Sequence, residues 1–92
     1  MTKIIFIAQR ISNRRNAIFP DKIIVDEHDL TYYKGKLIGY IKTNVNLKNI
    51  ASVTIIEGVL FGDISIETFG GDKIIASGFL KSDARRIKEL LT

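Results

Sequence analysis

Residue types that catalyse reactions or bind metals are scarce in this sequence of 92 residues. It contains no Cys and no Trp, and its single His, His28, lies beside three acids, Asp26, Glu27 and Asp29. Neighbouring carboxylates stabilise an imidazolium, so a cation-binding or pH-sensitive turn is one interpretation. We favour a solvated hairpin turn, because consecutive acids around one His lack the spacing of metal ligands. The sequence therefore predicts no enzyme, no metal site and no cofactor.

Basic residues form the second candidate site. Lys and Arg number 14 against 10 Asp and Glu, a net charge of +4, and the first twenty residues contain cations but no acid. Arginine binds phosphate through paired N–H groups. The candidate anion patch consists of five arginines from the two ends of the chain: Arg10, Arg14, Arg15, Arg85 and Arg86. Its ligand would be RNA or an acidic membrane surface, and the alternative is a solvated loop and a solvated helix face.

The aromatic residues help to decide between an anion-binding surface and a merely solvated one. Small RNA-binding domains commonly combine basic residues with exposed aromatic rings, on which bases stack. The three tyrosines fall close in sequence to lysines, a weak form of that pattern: Tyr32, Tyr33 and Tyr40 near Lys34, Lys36 and Lys42.

Two apolar segments are candidates for an interaction surface. Residues 59–61 lie between Gly58 and Gly62, and residues 4–7 are Ile-Ile-Phe-Ile. Each segment either packs into the core or is exposed to a partner, and for residues 59–61 we favour the core. The candidate interaction surface is Ile4, Phe6, Leu60 and Phe61.

The elements that carry these residues are mainly β-strands. Ile outnumbers Leu seventeen to seven, and β-branched residues favour strands over helices. Apolar and polar residues alternate along several segments, and the predicted strands cover residues 3–11, 22–27, 30–34, 37–46, 51–57, 63–69 and 72–79. Gly70-Gly71 predicts a two-residue hairpin with positive φ at both glycines.

The C-terminal segment predicts one amphipathic helix. Ser82 is the expected N-cap, and Ala84, Ile87, Leu90 and Leu91 are expected on the face that packs against the sheet.

This order of elements resembles the pleckstrin-homology superfold, most closely the small bacterial pleckstrin-homology-like domains. The resemblance covers residues 21–91 and is carried by the opening hairpin of residues 22–34, the polar corner of residues 45–53, the Gly70-Gly71 hairpin, and Ser77-Gly78-Phe79 leading into the helix. It implies a half-open antiparallel barrel of six or seven strands capped by the helix. It also implies a scaffold that binds proteins, peptides or lipid headgroups. The first hairpin loop is acidic and the helix has no Trp, and both departures argue against phosphoinositide binding there.

We therefore expect one domain over residues 1–92, with residues 21–91 as its core and residues 1–20 as an extension or an extra strand. The expected function is a non-catalytic protein-interaction or scaffold module that forms homo-oligomers, and anion binding is the alternative. No apolar run approaches the roughly 18 residues of a membrane-spanning helix, and there is no Cys. The expected location is cytoplasmic.

Overall fold

A computed structural model describes residues 3–8, 20–36 and 39–92 of the chain. These residues form seven β-strands, a 3-10 helix at Leu47–Asn49 and one α-helix. The strands are β1 (Ile4–Ile7), β2 (Lys22–Val25), β3 (Asp29–Gly35), β4 (Tyr40–Asn46), β5 (Ile50–Glu57), β6 (Phe61–Thr68) and β7 (Lys73–Leu80), and the helix is α1 (Lys81–Leu91). The prediction of a mainly β chain with one C-terminal helix is confirmed.

The strands form two antiparallel sheets. The first sheet has the order β1-β2-β3-β4, and the second has the order β5-β6-β7. Within each sheet, strands that are consecutive in the chain pair with each other, and the chain passes from one sheet to the other between β4 and β5. Among the described residues no strand of one sheet pairs with a strand of the other, so the sheets do not close into a barrel.

The core lies between the sheets and under the helix. The alternation of apolar and polar residues along the strands explains which side chains enter it. In a strand, every second side chain points to the same face. Ile23 and Leu30 of the first sheet and Ile64 and Ile66 of the second are fully buried, whereas the alternate residues Ile24, Thr31 and Ser65 are only partly buried. The predicted faces of these strands are therefore confirmed.

A bulge near the end of β7 was not predicted from the sequence. Gly62 pairs with Phe79 but Ile64 pairs with Ala76, so Ser77 and Gly78 together face Asp63. Gly78 has a φ of 84°, and its amide donates to a carboxylate oxygen of Asp63 at 3.3 Å. The extra residue lets the adjacent residues 78 and 79 both be buried, which simple alternation forbids. A glycine inside a strand pattern was the available signal.

The hairpin between β6 and β7 differs from its prediction. Its connection is residues 69–72, and of its two glycines only Gly71 has positive φ, at 92°. The Gly71 amide donates to the Thr68 carbonyl at 3.0 Å, and the Thr68 amide donates to the Asp72 carbonyl at 2.9 Å. Thr68 and Asp72 therefore close a loop of three residues, 69–71, that ends in the left-handed Gly71, and this loop needs only one such residue.

The start of the helix also differs from its prediction. Ser82 is not the N-cap, because α1 begins at Lys81 after Leu80 and has no side-chain cap. The Lys81 amide instead donates to the Leu60 carbonyl at 3.1 Å, so the turn before β6 satisfies the first helical N–H group. Leu90, expected on the packed face, is exposed, and the buried face is formed by Ala84 and Ile87 with Leu91 half-buried.

Helix α1 packs on the second sheet at a glycine. A Cβ atom added at Gly62 would lie 3.2 Å from the Cβ of Ala84 and 3.6 Å from Cγ2 of Ile55. Ala84 is fully buried on a helix, so it has no rotamer with which to move away. The close approach of α1 to β6 therefore depends on the missing side chain of Gly62.

We predict that Gly62→Val lowers the free energy of unfolding by about 2 kcal/mol, because overpacking displaces the helix from the sheet. Gly70→Ala is the control, since a Cβ there meets only Thr68 Oγ1 at 3.8 Å and the residue does not have positive φ. Urea denaturation followed by circular dichroism measures both variants. Equal stability of the two variants would contradict the packing described for Gly62.

Candidate functional site

The turn between β5 and β6 exposes two adjacent apolar side chains. The side chains of Val59 and Leu60 are 88% and 66% exposed. The Gly58 amide donates to the Phe61 carbonyl at 2.8 Å, which closes a tight turn with Val59 and Leu60 at its tip. Our expectation that these two residues pack into the core is therefore wrong, because a closed turn directs both side chains outward.

Neighbouring strands extend this exposed area. Ile56 stands opposite Asp63 on the outer face of the second sheet, and Leu80 stands opposite Phe61. Ile56 and Leu80 are both exposed, and Phe61 is half-buried. We name this surface the apolar end patch, and it consists of Ile56, Val59, Leu60 and Leu80. Of the predicted interaction residues, Leu60 belongs to the apolar end patch, and the half-buried Phe61 adjoins this patch as the strand partner of Leu80.

The other two predicted interaction residues lie inside the molecule. Phe6 is only 4% exposed and belongs to the core, and Ile4 is half-buried against that core. The reason is register, because Phe6 pairs with the buried Ile23 and therefore faces inward. The side chains that β1 exposes are Ile5 and Ile7. The interaction surface predicted for this strand was assigned to the wrong face.

The predicted anion patch is not assembled among the described residues. Arg10, Arg14 and Arg15 lie outside them. Arg85 makes a two-point ion pair with Glu57, with Nε 2.8 Å from Oε2 and Nη2 3.0 Å from Oε1. Of the pair predicted on the helix, Arg86 is exposed, whereas Arg85 faces a carboxylate of its own chain.

This ion pair joins the end of β5 to α1. Hydrogen bonding from Arg85 lowers the pKa of the Glu57 carboxyl below its ordinary value of 4.5, and Glu57 in turn raises the pKa of Arg85. Both groups are solvent-exposed, so the pair contributes little to stability. The pair holds the Arg85 guanidinium on Glu57 across the groove between β5 and α1, so a phosphate would have to compete with this carboxylate for it.

In the acidic turn around His28, the Asp26 side chain is hydrogen-bonded to backbone amides. Asp26 Oδ1 accepts hydrogen bonds from the amides of His28 and Asp29, each at 2.8 Å, and these bonds lower the pKa of Asp26. This is the geometry in which an Asp side chain closes a turn. It fits the solvated hairpin that we favoured. Within the described residues, no three His, Asp or Glu side chains are grouped to hold a metal ion.

The tyrosines divide between two faces of the first sheet. Tyr32 is buried, and its hydroxyl oxygen lies 2.9 Å from Asp21 Oδ2 and 3.0 Å from the carbonyl oxygen of Ile75 in the second sheet. Tyr33 and Tyr40 lie on the outer face, with ring centroids 5.9 Å apart in an edge-to-face arrangement. Of the three tyrosines predicted near lysines, Tyr32 is therefore removed from any nucleic-acid surface.

Two lysines contact the outer tyrosines. Lys22 Nζ lies 4.8 Å from the ring centroid of Tyr33 and 5.0 Å from that of Tyr40, and Lys42 Nζ lies 5.9 Å from that of Tyr33. We name Lys22, Tyr33, Tyr40 and Lys42 the basic–aromatic face. Lys22 was not predicted at this surface, because it meets the tyrosines only through the pairing of β2 with β3.

Comparison of the sequence with known proteins assigns the chain to no family. No family model matches the chain, and the search of curated proteins found no match. Among the described residues, no helix is long and apolar enough to span a membrane. The two exposed surfaces are therefore interpreted from their own chemistry.

We predict that Glu57→Gln changes the pH dependence of stability. Since folding lowers the pKa of Glu57, its ion pair stabilises the fold above pH 4.5 and this contribution is lost as the pH falls through the folded pKa. The difference in unfolding free energy between wild type and Glu57→Gln should therefore shrink on acidification. Glu67→Gln, an exposed change on β6, is the control, and an identical pH profile for both variants would contradict the interpretation.

We predict that Tyr32→Phe lowers the free energy of unfolding by about 1–2 kcal/mol, because Asp21 and the Ile75 carbonyl lose the one hydroxyl proton that they share. Burial and the nearby Asp21 raise the pKa of Tyr32 above its ordinary value of 10.0. Above pH 10 the unfolded chain loses this proton first, so wild-type stability should fall with rising pH, and it should fall less in Tyr32→Phe. Tyr33→Phe, on the opposite face of β3, is the control. Equal losses in the two variants would rule out the role assigned to Tyr32.

Proposed function

We propose that this protein is a non-catalytic protein-interaction module and that it self-associates through the apolar end patch. The observation that carries the proposal is the exposure of Val59 and Leu60 on a hydrogen-bonded turn. A rigid turn loses little conformational entropy on binding, so its exposed apolar area contributes efficiently to affinity. Contiguous exposed apolar side chains are typical of protein-binding surfaces.

The margin of the apolar end patch favours a second copy as the partner. Asp63 lies beside Ile56 on the outer face, and the backbone amide of Lys81 donates a hydrogen bond to the Leu60 carbonyl. A two-fold interface must be complementary to itself. A patch with an apolar centre and charges of both signs at its margin meets this requirement, because Asp63 of one copy can face Lys81 of the other.

We also propose that the chain belongs to the pleckstrin-homology-like folds. Supporting this are a four-stranded sheet followed by a three-stranded sheet, a core shared by both sheets, and a helix after the last strand that packs on the second sheet. The half-open barrel capped by this helix is part of the proposal, as is a cytoplasmic location. The acidic loop at residues 26–29 favours proteins over phosphoinositides as ligands, because its carboxylates repel phosphate.

Multi-angle light scattering over a wide concentration range tests self-association of the full chain. We predict that wild type dimerises with rising concentration and that Leu60→Lys stays monomeric, because a charge is placed in the apolar centre. Phe69→Lys is the matched control. Phe69 is also a highly exposed apolar residue at a hairpin tip, but it lies at the opposite end of β6.

The control variant should dimerise like wild type. A wild-type chain that is monomeric at every concentration would overturn the proposal of self-association. Dimerisation that Phe69→Lys disrupts and Leu60→Lys leaves intact would place the interface elsewhere. Circular dichroism of each variant verifies that the fold is retained.

A further inference from the structure

We propose that the basic–aromatic face of the first sheet binds single-stranded nucleic acid. This surface differs from the predicted arginine patch and from the apolar end patch, which lies on the second sheet. Three neighbouring strands supply it, with Lys22 from β2, Tyr33 from β3, and Tyr40 and Lys42 from β4. Cross-strand pairing joins Tyr33 to both Lys22 and Lys42.

A glycine makes room for the second ring. Tyr40 pairs with Gly35, which has no side chain, and the Tyr40 ring reaches its edge-to-face contact with Tyr33 beside that position. Tyr40 remains 38% exposed at this edge of the sheet. The two rings are therefore held by strands and by each other, so little side-chain entropy is lost when a base stacks on them.

The charges of the face favour a polyanion. The ammonium groups of Lys22 and Lys42 lie 4.8 Å and 5.9 Å from the Tyr33 centroid, so two positive charges flank one ring. The carboxylates of the same face, Asp26 and Asp29, lie at the far ends of β2 and β3, where one Asp26 oxygen already accepts two amide hydrogens. Asp21, next to Lys22 in the chain, is directed to the opposite face of the sheet, where its carboxylate accepts from the buried Tyr32 hydroxyl. A ligand at the tyrosines thus meets cations on a face whose acids lie at its far end.

A ligand for this face must combine negative charges with planar rings. Single-stranded nucleic acid does so, since its phosphates contact lysines while its unstacked bases lie on aromatic rings. A duplex keeps its bases stacked internally and would meet the lysines alone. An acidic membrane is disfavoured because the rings stand on a sheet beside the hydrogen-bonded polar pair Thr31 and Asn44, which a bilayer would have to bury.

Fluorescence anisotropy with labelled oligo(U) and oligo(dT) tests the proposal on the full chain. We expect both oligonucleotides to bind, with affinity that falls as salt rises. Tyr40→Leu keeps apolar volume but removes the ring, and we expect it to weaken binding on the order of tenfold. Lys42→Gln should reduce the slope of log affinity against log salt by about 0.7, as for one lost phosphate contact.

Lys73→Gln is the matched control, because Lys73 is an exposed strand lysine of the second sheet. It should leave both affinity and salt slope close to wild type. Lys22→Gln provides a second charge variant should Tyr40→Leu unfold, and circular dichroism verifies each fold. Leu60→Lys should bind oligonucleotide normally, which separates this proposal from the proposed self-association.

Several outcomes would overturn the inference. Wild type that binds neither oligonucleotide at low salt excludes the site. Equal weakening by Lys42→Gln and Lys73→Gln, with no effect of Tyr40→Leu, would indicate diffuse charge attraction. Equally tight binding of inorganic polyphosphate would indicate an anion site without base stacking. Binding to phosphatidylserine vesicles that depends on Tyr40, without oligonucleotide binding, would assign the face to a membrane.

Discussion

The hydrogen bonds of Asp21 and Tyr32 connect the two sheets, and the placement of one exposed surface relative to the other depends on this connection. Asp21 accepts from the Gly35 amide at 2.9 Å and from the Tyr32 hydroxyl at 2.9 Å, and its Oδ2 lies 3.5 Å from the Ser77 amide in the second sheet. The Tyr32 hydroxyl also reaches the Ile75 carbonyl. Apolar burial holds the sheets together without direction. These few polar contacts supply the direction, because hydrogen bonds tolerate only narrow geometry.

The regular part of the fold was accessible from the sequence, and the departures have tertiary causes. Alternation was enough to place Ile23, Ile64 and Ile66 on inner faces, because one buried face imposes a period of two. The start of α1 was misplaced because a carbonyl from a distant turn replaces the side-chain cap that local reasoning assigns to Ser82. The bulge at Gly78 was missed for a similar reason, since its stabilising partner, Asp63, belongs to another strand.

The surfaces were less accessible than the fold because they depend on which strand pairs with which residue. Phe6 and Ile5 are neighbours in sequence with the same chemistry, and only the pairing of Phe6 with Ile23 decides which of them is buried. Lys22 and Tyr40 are far apart in the chain and meet through two strand pairings. Arg85 is an ordinary helix-surface residue until β5 brings Glu57 to it. A single sequence contains the residue types of these surfaces but not their registers.

The hydrogen bond from the Lys81 amide to the Leu60 carbonyl affects how the helix unfolds locally. It ties the first turn of α1 to the β5–β6 turn, so the helix cannot fray from its N-terminal end without breaking a contact of that turn. The close packing of Ala84 on Gly62 strengthens the same linkage. Turn and helix therefore form one cooperative unit of local unfolding. A partner that immobilises the turn would also protect the amides at the start of the helix from exchange with solvent.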